Sequence, residues 1–67
     1  MMPPKVTEKK GRVLNVLQSE GNRVYMIHLD NNEVEAVIEN SLDLHVGDRV
    51  ICYESTSEYV IIKDENV

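Results

Sequence analysis

The stretch from Arg23 to Ile38 constrains the fold most, because two alternating runs rich in β-branched residues are joined there by three Asp or Asn residues. The first run reads RVYMIHL and the second EVEAVI, with Asp30, Asn31 and Asn32 between them. Asp and Asn tolerate left-handed backbone angles, and their side chains fold back onto the main chain, which suits a tight turn. The stretch therefore predicts a β-hairpin.

Further strands are predicted on both sides of this hairpin. Gly11 begins the run GRVLNVL, whose paired apolar residues place apolar groups on both faces, as expected of a long, bent strand that serves two sides of a barrel. After the hairpin, Gly47-Asp48 makes a turn into a fourth strand, residues 49–54, and residues 59–63 form a fifth. We therefore expect an all-β fold, a small five-stranded OB-like or SH3-like barrel over residues 11–63, because closure hides sheet edges.

Two finer predictions concern the third strand and the connection after it. Alternation predicts one buried and one largely solvated face for this strand. Residues 39–48 have room for one helical turn capped by Asn40 or Ser41. The predicted buried face consists of Val34, Ala36 and Ile38, and the solvated face of Glu33, Glu35, Val37 and Glu39.

The charge is unevenly placed along the chain, which has a formal net charge of −5. Four of its seven basic residues lie within the first 12 positions, and from Val13 onward three basic residues face 11 acidic ones, or −8. We interpret residues 1–10 as a flexible basic arm and residues 64–67 as a short acidic tail. An acidic body repels phosphate backbones, which counts against general nucleic-acid binding.

The sequence offers no pattern typical of catalysis. Cys52 is the only cysteine, and neither His28 nor His45 has a metal-ligand spacing with it, so we predict no catalytic residue, metal site or cofactor, and no enzyme. A single cysteine and the lack of an apolar leader predict a reducing, cytoplasmic setting. No run is long and apolar enough for a membrane helix, so no membrane partner is expected.

Several short motifs occur in an order known from small barrels: Gly11-Arg12-Val13-Leu14, Val24 through Leu29, Asp30-Asn31, Ala36-Val37-Ile38 and Gly47-Asp48-Arg49-Val50. This order resembles the small OB-fold proteins of the translation initiation factor one type, and the resemblance implies an OB barrel that binds RNA. Where that family is basic and faces ribosomal RNA, this chain carries Glu39, Asp43, Asp64 and Glu65. The residues Glu35-Ala36-Val37-Ile38, Ser41, Leu44 and Gly47 are also similar to the Mop/TOBE barrel, which implies an oxyanion-binding oligomer.

Three functional hypotheses follow for a non-enzymatic module. The first is an OB-like binding module for single-stranded nucleic acid or a ribonucleoprotein, in which cations meet phosphates and outward tyrosines stack on bases. The second is an acidic protein-interaction module that docks a basic or β-augmenting partner. The third is the Mop-like oligomer. The nucleic-acid site would comprise Lys9, Lys10, Arg12, Arg23, Tyr25 and Tyr53, and the protein-interaction site Glu33, Glu35 and Glu39.

Overall fold

The computed structural model describes residues 5–56 and 58–65 of the chain. These residues form five antiparallel strands and no helix, and the strands make one sheet of order β3-β2-β1-β4-β5. The all-β prediction with five strands is confirmed. The strands are β1 (Thr7–Ser19), β2 (Asn22–Leu29), β3 (Val34–Ile38), β4 (Arg49–Glu54) and β5 (Tyr59–Lys63).

The strand connectivity is a Greek key. Strands β1, β2 and β3 follow one another as hairpins, and β4 returns after a longer connection to pair with β1. An OB fold is a partly open five-stranded Greek-key barrel, so this connectivity agrees with the OB-like alternative. Within the described residues β3 and β5 do not pair, and the sheet is open between them.

Strand β1 is the long, bent strand that the sequence predicts. Its first half pairs with β4 and its second half with β2, and a register shift between Val13 and Asn15 marks a β-bulge. Gly11 lies where both partners meet, and a Cβ there would come within 2.7 Å of the His28 carbonyl oxygen. Glycine at this position permits the close approach of the β2 backbone, which a side chain would prevent.

The predicted boundary of the N-terminal arm is wrong. Strand β1 begins at Thr7, so residues 7–10, assigned to the arm, are paired with β4, for example Lys9 with Cys52. Their sequence, TEKK, has no apolar alternation, and the backbone ladder with β4 defines the strand instead. Residues 1–4 of the arm and 66–67 of the tail lie outside the described residues.

The predicted orientation of β3 is also wrong. Val37 is buried, whereas Val34 and Ile38 are 51% and 63% exposed. Pairing with β2 sets this orientation, because Val37 lies opposite the fully buried Tyr25. Residues directly opposite each other in a sheet share a face, so the odd-numbered residues of β3 point inward. The core consists of Val13, Tyr25, Ile27, Leu29, Val37, Leu44, Val50, Cys52 and Ile61.

The connection at residues 39–48 has no helical turn and covers one end of the sheet. The Tyr25 hydroxyl donates to the Leu42 carbonyl at 2.7 Å and accepts from the Leu44 amide at 3.0 Å. The predicted Gly47-Asp48 turn is present, with Gly47 at a φ of 94°. The Gly47 amide donates to the Val13 carbonyl, and the Val13 amide donates to the Asp48 carbonyl. Backbone and tyrosine hydrogen bonds therefore hold the connection, which had room for one helical turn.

Candidate docking surface

Among the strands of the described residues, β3 lies at one edge of the sheet and pairs only with β2. The Glu33 carbonyl accepts from Leu29 and the Glu39 amide donates to Arg23, so odd-numbered residues turn their backbone groups toward β2. In an antiparallel ladder the alternate residues turn theirs the other way. The N–H and C=O groups of Val34, Ala36 and Ile38 therefore point to the free edge.

The outer side of β3 continues an apolar surface across β2 onto β1. Ile38 lies beside Val24, which lies beside Leu17, and Ala36 lies beside Met26. Leu17 is 44% exposed and Ile38 63%. Single exposed apolar residues are normal, whereas large contiguous apolar patches are typical of interaction sites. We name this surface the apolar face, and it consists of Leu17, Val24, Met26, Val34, Ala36 and Ile38.

The inner side of β3 presents Glu35 to a shared cation. The Lys9 ammonium lies 3.9 Å from a Glu35 carboxylate oxygen and 3.7 Å from a Glu54 oxygen, and the Lys9 side chain is 26% exposed. Charge-assisted hydrogen bonds are about 2.7–2.9 Å long, so both contacts are loose. Two carboxylates therefore share one ammonium without closely binding it.

The opening between β3 and β5, which we name the seam, contains a cavity of about 240 Å³ lined by Glu35, Ala36, Val37, Ile38 and Tyr59. The Tyr59 hydroxyl oxygen is shut off from solvent and, within the described residues, has no hydrogen-bond partner. Burial, and after it the neighbouring Cys52 thiol, raises the pKa of Tyr59 above its ordinary value. Burial likewise raises the pKa of Cys52, so neither group is activated as a nucleophile.

No protein-family model, curated protein or solved structure matches the chain. The described residues hold no group of His, Cys, Asp and Glu side chains placed to bind a metal ion. In the same part of the chain, no helix has the length and apolar character needed to span a membrane.

Three residues of the predicted nucleic-acid site are either buried in the core or held by contacts with other parts of the fold. Tyr25 has 0% exposure, so its prediction as an outward stacking platform is wrong. Arg23 donates to the Leu42 carbonyl at 2.6 Å and to the Tyr25 hydroxyl at 3.3 Å, and the latter bond raises the pKa of Arg23. Lys9 lies between two carboxylates. These groups support the fold and are not presented together to a ligand.

The other three residues of that predicted site share the outer side of β1 and β4. Lys10 lies beside Ile51, and Tyr53 lies opposite Glu8, so Lys10 and Tyr53 are diagonal neighbours. Arg12 lies beside Arg49, whose two terminal guanidinium nitrogens each donate to a carboxylate oxygen of Asp30 at 3.3 Å. Lys10 and Arg12 are exposed, and Tyr53 is half-buried. This surface is small and includes an acidic residue.

The three glutamates predicted to form an acidic docking face have separate local contacts. Glu33 closes the hairpin turn, where its carboxylate accepts from the Asn31 side chain at 2.9 Å. The Glu39 carboxylate accepts from the Ser41 amide at 2.8 Å. Glu35 points into the seam. The apolar face was not predicted from the sequence, although part of its signal lies in β2, where neither alternating face is wholly polar.

Proposed function

We propose that this protein is a non-enzymatic interaction module that docks a partner protein on the apolar face and the free edge of β3. One observation carries the proposal: the exposed side chains of Val34, Ala36 and Ile38 are apolar, and their backbone groups have no strand partner in the described residues. Exposed apolar edge strands promote aggregation, and proteins normally protect them with charges, proline or covering elements. Glu35 supplies such a charge on the inner side of β3, but the outer side carries only apolar side chains, and a functional partner accounts for that unprotected side.

A matched pair of valines tests the proposal. Val34 on β3 and Val60 on β5 are 51% and 42% exposed, and both lie on edge strands. Immobilised wild-type protein, Val34→Lys and Val60→Lys are used to capture proteins from host lysate, with quantitative mass spectrometry. A specific partner should be retained by wild type and Val60→Lys and lost by Val34→Lys, with unchanged melting temperatures. If wild type and Val34→Lys capture the same proteins in the same amounts, the proposal is contradicted.

Binding of single-stranded nucleic acid is the second candidate, favoured only by the shared face of Lys10, Arg12 and Tyr53. Such binding depends on neutralising phosphates and weakens with salt. The proposed function predicts no change in the anisotropy of labelled single-stranded RNA or DNA at about 50 mM salt. Binding that Lys10→Glu abolishes and Val34→Lys leaves intact would favour the nucleic-acid function instead.

A further inference from the structure

We infer that the partner contributes an extended segment carrying Lys or Arg at alternate positions, which pairs with the free edge of β3 and places one basic side chain beside Glu35. This inference rests on the proposed function and names the chemistry of its partner. Three observations carry it: the unpaired backbone of β3, the different chemistry of its two sides, and the excess negative charge around it.

The free backbone groups of β3 can form hydrogen bonds with one more strand. Val34, Ala36 and Ile38 direct their N–H and C=O groups away from β2, and no described strand receives them. An extended peptide supplies matching donors and acceptors at this spacing, as in other complexes formed by strand addition. Alternate side chains of the added strand then lie beside the apolar outer row or beside Glu35 and Val37 on the inner side.

The charges around β3 favour basic side chains on the inner side of the added strand. Residues 33–39 contain three glutamates and no lysine or arginine. Glu35 and Glu54 share Lys9 at 3.9 and 3.7 Å, so both retain capacity to accept hydrogen bonds from a second cation. The cavity beside Glu35, which Tyr59 also lines, gives a long side chain room to enter.

A second copy of this chain fits the same edge poorly. Two β3 strands paired antiparallel about Ala36 place Glu33 opposite Glu39 at both ends. Pairing about Glu35 places that residue opposite its own copy, and pairing about Val37 places Glu35 opposite Glu39. Like charges directly opposite destabilise a sheet, and each chain already carries −5. The edge therefore favours a basic foreign segment over self-pairing.

Synthetic peptides test the inference directly. The probe is labelled Thr-Lys-Val-Lys-Val-Lys-Val-Lys-Thr, and the comparison peptides replace Lys by Glu or cluster the same lysines at one end. Anisotropy should show binding of the alternating Lys peptide, no binding of the Glu peptide, and at least about tenfold weaker binding of the clustered peptide, which cannot present one basic and one apolar side. Equal binding of the alternating and clustered peptides overturns the inference, because general charge attraction would then suffice.

Two matched pairs of variants locate the basic side chain. Lys9→Gln and Lys10→Gln remove the same charge from adjacent residues, but only Lys9 contacts Glu35. We expect Lys9→Gln to tighten peptide binding about 2- to 5-fold more than Lys10→Gln does, and Glu35→Gln to weaken it by a similar factor relative to Glu20→Gln. Equal effects within either pair overturn the inference.

Failure of the inference is distinguishable from failure of the proposed function. If no peptide binds while Val34→Lys still abolishes partner capture, the basic extended segment is wrong and the docking surface remains. If sedimentation velocity shows a wild-type dimer that Val34→Lys dissociates, a second copy occupies the edge and the inference is overturned. If the alternating peptide binds and protects the amides of Val34, Ala36 and Ile38 from hydrogen exchange, the inference is supported.

Discussion

Replacing Tyr25 by Phe and, separately, Tyr59 by Phe removes one hydroxyl in each case, but from opposite environments. The Tyr25 hydroxyl makes hydrogen bonds with the Leu42 carbonyl, the Leu44 amide and Arg23. The Tyr59 hydroxyl is enclosed and has no hydrogen-bond partner in the described residues. Comparing the unfolding free energies of the two variants therefore distinguishes the contribution of a hydrogen-bonded buried hydroxyl from the cost of one that lacks a partner.

Tyr25→Phe should destabilise the protein substantially. The Leu42 carbonyl keeps its bond from Arg23, but the buried Leu44 amide loses its acceptor. A net hydrogen bond is worth about 1 kcal/mol, and a buried donor left unsatisfied costs about 1–3 kcal/mol. We expect a loss of roughly 2–3 kcal/mol in the free energy of unfolding, which in a domain of this size lowers Tm by roughly 10–20 °C.

Tyr59→Phe should leave stability unchanged or raise it by up to about 1 kcal/mol, because it removes an enclosed hydroxyl whose neighbouring polar group, the Cys52 thiol, forms at most a weak hydrogen bond. Urea unfolding at neutral pH, followed by circular dichroism, gives both free energies. A Tyr59→Phe variant less stable than Tyr25→Phe, or equal losses in the two, would refute the reasoning. It would mean that the Tyr59 hydroxyl has a partner or that the bonds to residues 39–48 contribute nothing.

The sequence predicts the strands well because alternation and turn residues are local signals. The Asp30–Asn32 turn, the Gly47-Asp48 turn and the bent first strand need only nearby residues to be recognised. The start of β1 could not be read this way, because TEKK carries no apolar pattern and becomes strand by pairing with β4. The burial of Tyr25 was equally hidden, since the backbone partners of its hydroxyl, at Leu42 and Leu44, lie 17 and 19 residues away.

The candidate site could not be predicted, because local pattern and register give opposite answers for β3. Maximum burial of apolar residues favours Val34, Ala36 and Ile38 inside, whereas pairing with Tyr25 places Val37 inside. A one-residue change of register would exchange the two faces. The core therefore fixes an orientation that leaves three apolar residues of an edge strand outside. Disagreement between local preference and global packing is expected at functional sites, which agrees with a docking role for β3.

Three further predictions follow from the core. Gly11→Ala should cost about 1–3 kcal/mol in unfolding free energy, because its Cβ would meet the His28 carbonyl oxygen at 2.7 Å; an unchanged urea midpoint contradicts this. Cys52, with 0% exposure, should react with a thiol reagent only after unfolding, so rapid modification of the native protein contradicts its placement. Stability should fall at alkaline pH. Unfolded Cys and Tyr release protons near about pH 8.5 and 10, whereas burial raises the pKa of Cys52 and the pKa of Tyr59 in the folded state. The unfolded chain then binds fewer protons than the folded one, so raising the pH favours unfolding. Urea titrations from about pH 7 to 10.5 should show this decline, less steep above about pH 10 in Tyr59→Phe and above about pH 8.5 in Cys52→Ala. Identical pH profiles in wild type and both variants would show that these two groups titrate alike in the folded and unfolded chain.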